Sequence, residues 1–486
     1  LLHSGARYAV TDQESATECI KENMILKKIA RHCVDDTSGL FITLPEDDLA
    51  YQDTFVKACL AAGINAEVID PEEAKRMEPS VNPTLIGAVK VPDGSVDPFR
   101  LCASNVFDAK IHGAKVLVYS EVIEFIKEQD TIKGVKVLDH HTGIVTDYHA
   151  PVTVNAGGIW GHHIAQMAGA NISMFPAKGA LLIFAHRVNS VVINRCRKPA
   201  NADILVPGDT VCVIGTTSTR VPYEECDHLK VTPDEVDLLL TEGAKLAPCL
   251  AETRVLRAYA GVRPLVSADN DPSGRNISRG IVCLDHESRD GIKGFISITG
   301  GKLMTYRLMG EMAADAVCKK LGRDAKCVTA DTPLPGSEPG GIEEISKKIW
   351  EVPTMVQKAS VGRFGTQAAN LDFDGDVKGS LVCECEEVSV SEVDSAIENL
   401  EVNNLVDLRR RTRFGMGTCQ GELCACRAAG RLAKARKCTS KARADLKDFM
   451  NERWKGMYPV AWGETLRESA YTQWVYSEVM GLGEEI

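Results

Sequence analysis

A chain of 486 residues, of which 44% are hydrophobic and 25% charged, has the composition of a folded globular protein of about three domains. Its 56 Lys and Arg against 67 Asp and Glu give a net charge of -11, which argues against general binding to nucleic acid or to an anionic membrane surface. No run of about 18 apolar residues occurs, so the sequence predicts no membrane-spanning helix, and any membrane contact would need a partner.

The N-terminus and the cysteines indicate whether the protein is secreted and whether its thiols are reduced. The sequence starts at Leu1 with no Met, no basic segment and no apolar segment, so it predicts no signal peptide and an N-terminally incomplete chain. Seventeen Cys without a secretion signal favour reduced thiols or metal ligands over a disulfide framework.

The hydrophobic pattern predicts helices alternating with strands, as in an α/β or α+β fold. Helical periodicity marks residues 13–32, 98–112, 233–247 and 302–321, and short apolar strands are predicted at 115–119, 134–138 and 295–298. Pro and Gly concentrate without periodicity in residues 331–341, which predicts a domain boundary there. Residues from about 442 onward are predicted to form a short helix and an aromatic tail.

Two predicted strands run into a Gly-Gly pair that precedes a helix. The first reads VTVNAGG at residues 152–158, and the second reads ISITGGK at residues 296–302. Such a junction aims free backbone N–H groups and the positive helix end at a ligand, which suits an anion or a ring that becomes anionic on reduction. An ordinary tight turn is the alternative interpretation of both.

Three arginines, Arg7, Arg263 and Arg279, occur in uncharged or turn-like contexts. An Arg beside Gly or Pro on a turn can present its planar fork to a phosphate or a carboxylate, and a surface or structural Arg is the alternative. His3 and His286 are the candidate proton acceptors, although a lone His more often only satisfies a hydrogen bond.

Four cysteines form two close pairs, Cys383 with Cys385 and Cys419 with Cys424, separated by a helix-sized insert. Paired thiolates suit an iron–sulfur cluster or zinc, and free buried thiols are the third possibility that the spacing leaves open. Cys426 is a reserve ligand. The basic run at residues 409–413 is interpreted either as a solvated helix end or as a docking face for an acidic redox partner.

Four segments taken together resemble the FAD-dependent glycerol-3-phosphate dehydrogenase family. They read LHSGARY at residues 2–8, VNAGGIW at 154–160, GVRPL at 261–265 and TGGKLMTYR at 299–307, so the resemblance covers residues 1 to about 330. The four-cysteine segment is similar to BFD-like [2Fe-2S] domains. The segments NERWKG at 451–456 and PVAWG at 459–463 resemble the C-terminus of family members that carry this domain.

The resemblance implies an α/β fold with a DAO-like, Rossmann-type FAD domain and a mixed-sheet substrate domain, followed by a small, mostly helical BFD-like [2Fe-2S] domain. It implies an oxidoreductase domain at 1–330, a linker and short helical segment at 331–380, the [2Fe-2S]-binding domain at 381–440, and a C-terminal helix and tail at 441–486. The family's opening strand and G-x-G-x-x-G turn are absent from these residues, so its pyrophosphate-binding glycines and ribose-binding acid cannot be assigned.

The resemblance also implies an activity, the oxidation of sn-glycerol 3-phosphate to dihydroxyacetone phosphate, in which FAD takes a hydride and a base takes the hydroxyl proton. It puts Arg263 and Arg279 at the substrate phosphate. The implied catalytic residues are His3 as the proton acceptor, Lys302 as the group that stabilises the reduced flavin or the substrate oxygen, Arg7 and Tyr8. The implied flavin-lining residues are Asn155, Ala156, Gly157, Thr299, Gly300, Gly301 and Leu303, and the implied cluster ligands are Cys383, Cys385, Cys419 and Cys424.

By the same resemblance, electrons leave singly through the cluster to two partner subunits, a second flavoprotein and a membrane-anchoring iron–sulfur protein, and then reach quinone in anaerobic glycerol catabolism. This implies a peripheral assembly on the cytoplasmic face of the inner membrane and no nucleic-acid partner. One alternative is an FAD-dependent amino-acid or opine dehydrogenase, which would need one carboxylate-binding Arg and no phosphate site. The other is a non-enzymatic electron-relay or metal-handling module.

Overall fold

The computed structural model describes residues 1–266, 280–375 and 377–483. The α-helices of this part of the chain are α1 (Gln13–Ile29), α2 (Tyr51–Ala61), α3 (Pro71–Met77), α4 (Pro98–Ile111), α5 (Gly161–Met167), α6 (Pro233–Leu246), α7 (His286–Asp290), α8 (Tyr306–Lys320), α9 (Ile342–Ile349), α10 (Met355–Phe364), α11 (Val390–Asn399), α12 (Leu405–Thr412), α13 (Ala425–Ala435), α14 (Ala442–Met457) and α15 (Gly463–Trp474). None of these helices is both long and apolar enough to cross a membrane.

The strands of the same residues are β1 (Val34–Asp35), β2 (Gly39–Thr43), β3 (Glu67–Ile69), β4 (Gly87–Val91), β5 (Ser95–Val96), β6 (Ser120–Glu128), β7 (Thr131–Asp139), β8 (Val145–His149), β9 (Thr153–Asn155), β10 (Met174–Phe184), β11 (Val192–Arg195), β12 (Ile204–Pro207), β13 (Cys212–Gly215), β14 (Thr219–Arg220), β15 (Val255–Val266), β16 (Ile281–Asp285), β17 (Phe295–Gly300), β18 (Leu381–Cys383) and β19 (Val388–Ser389). The predicted α/β class is confirmed.

The largest sheet contains nine of the described strands, in the order β14-β10-β13-β12-β11-β2-β4-β3, with β15 paired to β10. It is a mixed sheet, because β11 runs parallel to β2 whereas β10 is antiparallel to β13, β14 and β15. Helix α6 packs on it through Leu239 and Leu246. The helix forms here because Thr232 and Glu235 make a capping box and Pro233 occupies the first turn.

A second sheet brings the two Gly-Gly junctions together. Its strands are ordered β16-β17-β9, and β17 runs parallel to β9 with Phe295 opposite Thr153. Because parallel strands end at the same edge of a sheet, the residues that follow Asn155 and Thr299 lie at neighbouring strand ends. A third, antiparallel sheet, β6-β7-β8, buries Phe125 and contributes to the core around α5.

The C-terminal cysteine region consists of the β18–β19 pair and helices α11, α12 and α13, as the prediction of a small, mostly helical domain requires. These helices share one apolar core with α14, in which the rings of Phe414 and Phe449 stack with centroids 5.3 Å apart. Helix α14 therefore belongs structurally with the cysteine region. The segment at 331–341 is also packed, because Leu334 is buried and donates its N–H to the Ile29 carbonyl. The domain boundaries near 330, 380 and 440 stay predictions.

Several local predictions differ from the structure. Residues 115–119 are not a strand: Tyr119 adopts φ 53°, outside the extended region, and the strand β6 begins only at Ser120. The predicted helix 13–32 ends at Ile29 because Ala30 leaves the helical region, at φ -130° and ψ 42°. The predicted helix 302–321 begins as a 3-10 turn before α8. Residues 441–486, predicted as one helix and a tail, contain both α14 and α15.

Candidate active site and thiol cluster

A cleft of about 1630 Å³ lies between the large sheet, the N-terminal residues and the cysteine region. Its walls come from strands β10, β13 and β15, from the residues after β17, and from parts of α12 and α14. Five residues predicted for catalysis or phosphate binding line it together: His3, Arg7, Tyr8, Arg263 and Lys302. The sixth, Arg279, lies outside the described residues.

A tight turn against α1 carries the N-terminal part of the site. Gly5 adopts φ 96°, and a Cβ on it would lie 2.6 Å from the backbone oxygen of Ala16, so no other residue fits there without movement. The chain then forms the 3-10 turn Ala6–Tyr8, which faces the cleft.

Only one of the two terminal nitrogens of the Arg7 guanidinium is hydrogen-bonded to the described part of the protein. Its Nη2 donates to the Ala200 carbonyl and to the Asp203 carboxylate, both at 2.9 Å. Its Nη1 is buried and, within the described part of the chain, has no hydrogen-bond partner. A buried donor without a partner is costly, so this atom is suited to an acceptor supplied by a ligand.

The two candidate proton acceptors have different surroundings. His3 accepts a hydrogen bond at Nδ1 from the Gly5 N–H at 3.1 Å, so the neutral ring carries its proton on Nε2. The neutral ring can take a further proton at Nδ1 only after the hydrogen bond from the Gly5 N–H breaks. His286 is fully buried, and its ring nitrogens bond Ser297 and Asp290. This identifies His286 as a structural residue.

Lys302 brings a positive charge to the cleft. Its Nζ lies 4.9 Å from the centroid of the Tyr8 ring, and its side chain hydrogen-bonds the thiol of Cys19. Burial raises the pKa of Cys19 to about 11, against the opposing effect of the Lys302 charge. The thiol therefore stays protonated at neutral pH and does not neutralise the ammonium.

Arg263 is held against the neighbouring strand. Its Nη2 donates to the Thr216 hydroxyl and, at 3.2 Å, to the Thr217 carbonyl, while its Nη1 lies 3.4 Å from the Lys178 carbonyl. Gly179 makes room for this arrangement, since a Cβ there would lie 2.9 Å from Arg263 Cζ. The position of the guanidinium thus depends on a glycine on the paired strand β10.

The predicted flavin-lining residues fall into two groups. Gly300, Gly301 and Leu303 line the cleft, and the two glycines adopt φ 75° and 65°, which favours glycine. Thr299 is almost completely buried, and within the described residues its hydroxyl has no hydrogen-bond partner. An orphaned hydroxyl beside a cradle of two glycines fits a polar ring seated at this edge.

Asn155, Ala156 and Gly157 stand at the adjoining strand end but do not line the cleft. The Asn155 amide donates to the Gly161 carbonyl at 2.8 Å and accepts from the Gly157 N–H at 3.1 Å. Its side chain is therefore used to shape the turn, and a direct flavin contact stays a prediction for these three residues.

The four predicted cluster ligands lie together. Hydrogen-bond contacts join the thiols of Cys383 and Cys424, of Cys424 and Cys419, and of Cys419 and Cys385. All 17 Cys are in described residues and none forms a disulfide. Cys426 is not part of the group, because its thiol contacts Met480 Sδ at 3.6 Å.

The thiols share protons unevenly. Hydrogen bonds from Cys385 and Cys424 lower the pKa of Cys419, and a hydrogen bond from Cys424 lowers the pKa of Cys383. The same bonds raise the pKa values of Cys385 and Cys424, with burial adding to the effect. Because four neighbouring thiolates repel one another, ionising all of them requires a bound cationic centre.

Backbone donors surround the thiols. The N–H groups of Gly421 and Leu423 approach Cys419, and that of Gly415 approaches Cys383. In the described residues no three His, Cys, Asp or Glu side chains stand ready-arranged around a single metal ion. The fit to a cluster rests instead on the thiol contacts and on these N–H donors, which stabilise the more negative, reduced form.

Sequence reasoning missed the part of the cleft wall that the cysteine region and α14 contribute, namely Arg409, Met416, Trp454 and Tyr458, and it missed Arg257 on β15 beside them. The basic run at 409–413 was the available signal, but it is not simply a solvated helix end. Arg413 forms ion pairs with Asp97 and Glu386, both at 2.8 Å. The run therefore joins the cysteine region to the rest of the molecule.

Two protein families match this chain, one over its N-terminal part and one over the cysteine region. Residues 1–307 match the FAD dependent oxidoreductase family, and residues 381–432 match the BFD-like [2Fe-2S] binding domain. The protein is therefore an FAD-dependent oxidoreductase with an appended [2Fe-2S] domain, and FAD and the cluster are its cofactors. A glycerol-3-phosphate dehydrogenase from Bacillus halodurans, solved with FAD, shares the fold with a TM-score of 0.67 over 95% of this chain and 94% of that chain, at 19% identity.

Two curated relatives identify the family to which this chain belongs. The A subunit of the anaerobic glycerol-3-phosphate dehydrogenase from Haemophilus influenzae is 61% identical over 485 residues, covering 100% of this chain and 86% of the relative. The corresponding protein from Escherichia coli K12 is 62% identical over 486 residues, covering 100% and 90%. The chain belongs to the family of anaerobic glycerol-3-phosphate dehydrogenase A subunits, which confirms the resemblance drawn from its motifs.

Proposed function

We propose that this chain is the catalytic subunit that oxidises sn-glycerol 3-phosphate to dihydroxyacetone phosphate. The observation that carries the proposal is the convergence of Arg7, Arg263 and Lys302 in one cleft of a chain whose net charge is -11. A phosphate dianion needs such a local cationic site in an acidic protein, whereas an amino-acid carboxylate needs a single Arg. Arg279 is proposed as the second phosphate-binding arginine.

Bound FAD supplies the acceptor for the hydride that leaves C2 of the substrate. Arg263 binds the phosphate at the cleft, and its bonds to β10 and to the residues that follow β13 fix the orientation of the guanidinium. Arg7 offers Nη1 to a substrate oxygen. Lys302, backed by the ring of Tyr8, stabilises negative charge that develops at the reacting end.

His3 is the proposed proton acceptor. The bond from the Gly5 N–H to Nδ1 has to break before the ring can take the hydroxyl proton at that atom. Thr299, Gly300, Gly301 and Leu303 are proposed to hold the flavin ring, and Asn155, Ala156 and Gly157 to support the adjoining turn. Together these residues orient the carbinol and exclude water from it.

Cys383, Cys385, Cys419 and Cys424 are proposed as the ligands of the [2Fe-2S] cluster, which carries one electron at a time. The proposed electron acceptors are two partner subunits, a second flavoprotein and a membrane-anchoring iron–sulfur protein, which pass the electrons to quinone. The assembly is proposed to be peripheral, on the cytoplasmic face of the inner membrane. The support is the family resemblance together with the lack of a spanning helix among the described residues.

An anaerobic absorption spectrum of the purified protein tests the proposal. Flavin bands are expected to bleach on adding glycerol 3-phosphate and to stay unchanged with glycerol, the matched control that lacks the phosphate. Bleaching by an amino acid instead would favour the amino-acid dehydrogenase alternative. Equal iron and labile sulfide with no substrate-reducible flavin would favour the electron-relay alternative.

A further inference from the structure

The turn that carries Cys419, defined here as residues 416–421, is held by four arginines from three elements. Arg254 donates to the Thr418 carbonyl at 3.0 Å, and Arg453 lies 3.5 Å from the Cys419 carbonyl. The remaining two, Arg257 and Arg409, contact the same atom in the next residue of the turn.

That shared atom is Oε1 of Gln420. It accepts from Arg409 Nη2 at 2.9 Å and from Arg257 Nη1 at 3.3 Å. The amide cannot turn away, because its Nε2 donates to the carbonyls of Met416 and Gly417, both at 2.9 Å. Gln420 therefore ties two guanidinium groups to the residue that directly follows a proposed cluster ligand.

The four arginines differ in how their charge is balanced. Arg254 and Arg453 both pair with the Glu468 carboxylate. Among the described residues, Arg257 and Arg409 have no carboxylate within salt-bridge distance, and Glu452 acts on both only through its more distant charge. Two like charges held side by side without a local anion imply that negative charge is supplied from elsewhere.

The surroundings hold Arg257 in this position. The residue is 8% exposed, and helix α14 passes it with Gly456, where a Cβ would lie 2.7 Å from Arg257 Cζ. Strand β15 carries both Arg257 and the proposed phosphate-binding Arg263, six positions apart, which corresponds to roughly 20 Å along an extended strand. The strand thus runs from the substrate end of the cleft to the cluster turn.

We propose that Arg257 and Arg409 are positioning residues that raise the midpoint potential of the [2Fe-2S] cluster and so favour electron transfer from the reduced flavin. This inference rests on the proposed function, in which the four thiols hold that cluster. A bound cluster would accept one electron from the reduced flavin, and its net charge would become more negative by one unit. Two fixed positive charges beside the Cys419 turn stabilise that reduced state through the field they exert.

The effect of one charge can be estimated from Coulomb's law. At a separation of ~10 Å and an effective dielectric constant of ~20, a unit charge changes the reduction equilibrium roughly tenfold, which for one electron corresponds to about 59 mV. Because Arg257 is buried, the shift is expected to depend only weakly on salt, in contrast to that of an exposed charge.

The test is a redox titration of the holoprotein with dithionite, followed by the electron paramagnetic resonance signal of the reduced cluster. The variants are Arg257→Gln, Arg409→Gln, the double variant, and Arg257→Lys, which keeps the charge but not the planar fork. Lys434→Gln is the control, since it removes an exposed charge from α13, about ten residues or ~15 Å along the helix from Cys424.

Each Gln variant is expected to shift the reduction equilibrium roughly tenfold towards the oxidised cluster, and the double variant roughly a hundredfold. Arg257→Lys and Lys434→Gln are expected to retain the wild-type potential. If Arg257→Gln lost its cluster, the Arg409→Gln and Arg257→Lys titrations would still decide the matter.

Wild-type potentials in cluster-loaded Gln variants would overturn the inference and leave the proposed function intact. The inference would also be overturned if the midpoint potential fell as much in Arg257→Lys as in Arg257→Gln, since a purely structural role would then explain both results. A wild-type protein that binds no [2Fe-2S] cluster would overturn the proposed electron path and the inference with it.

Discussion

Replacing Gly179 with Ala tests whether the orientation of Arg263 controls substrate binding. The added Cβ would lie 2.9 Å from Arg263 Cζ, closer than real Cβ contacts occur, so the guanidinium has to move. Its bonds to Thr216 and to the Thr217 carbonyl would then be lost or reshaped. The substitution therefore displaces the charged group without removing it.

A charge-assisted hydrogen bond is worth about 1.5–3 kcal/mol, and each 1.4 kcal/mol or so is tenfold, so kcat/KM for glycerol 3-phosphate should fall about 10- to 100-fold. The assay is steady-state oxidation of glycerol 3-phosphate with an artificial electron acceptor. The ratio of FAD to protein and the cluster absorption serve as checks that the variant has folded.

Two comparisons sharpen this experiment. Gly310→Ala adds a methyl group on α8 where a Cβ meets nothing within 4 Å, so it should leave kcat/KM unchanged. Adding Gly179→Ala to an Arg263→Ala background should cause little further loss, because the group that it displaces is already gone. A folded Gly179→Ala variant with wild-type kcat/KM would refute the reasoning.

Three further predictions concern the cluster and the stability of the fold. Cys419→Ser should lose bound iron and its visible absorption while Cys426→Ser keeps both, and unchanged iron in Cys419→Ser would remove Cys419 from the ligand set. Glu22→Gln breaks the buried ion pair with Arg307, whose closest N–O distance is 2.6 Å, and should lower the free energy of unfolding in urea by about 3 kcal/mol; an unchanged midpoint would contradict this. Burial lowers the pKa of His32 from 6.5 to about 4, so between these pH values only the unfolded state binds the proton, and up to about 3 kcal/mol of stability is lost as the pH falls. His32→Gln should flatten that dependence of the urea midpoint on pH, and an equally steep dependence would argue against the assignment.

The local sequence was enough to predict features that depend on neighbours along the chain. Helix α6 was predicted at 233–247 and spans Pro233–Leu246. The prediction was accurate because the cap, the first-turn proline and the apolar periodicity all lie within one short segment of the sequence. The cysteine pairs and the Gly-Gly junctions were recognisable for the same reason, since close spacing along a loop already constrains what the side chains can reach.

Contacts between distant segments were decided only by the tertiary structure. The strand predicted at 115–119 does not form, and in the folded chain the strand of this region, β6, begins at Ser120 and pairs with β7. The basic run at 409–413 was visible in the sequence, but the partners of its side chains were not. Arg413 forms an ion pair with Asp97, which is distant in the sequence.

The chemical state of the site was likewise a tertiary property. Composition and motifs identified His3, Arg263 and the Cys419 pair as candidates, and the family followed from those motifs. Two further facts depend on hydrogen bonds and close packing between distant segments: Gly179 sets the position of Arg263, and Gln420 holds Arg257. Such bonds join atoms that only the folded chain brings within about 3 Å, and no pattern of neighbouring residues encodes them.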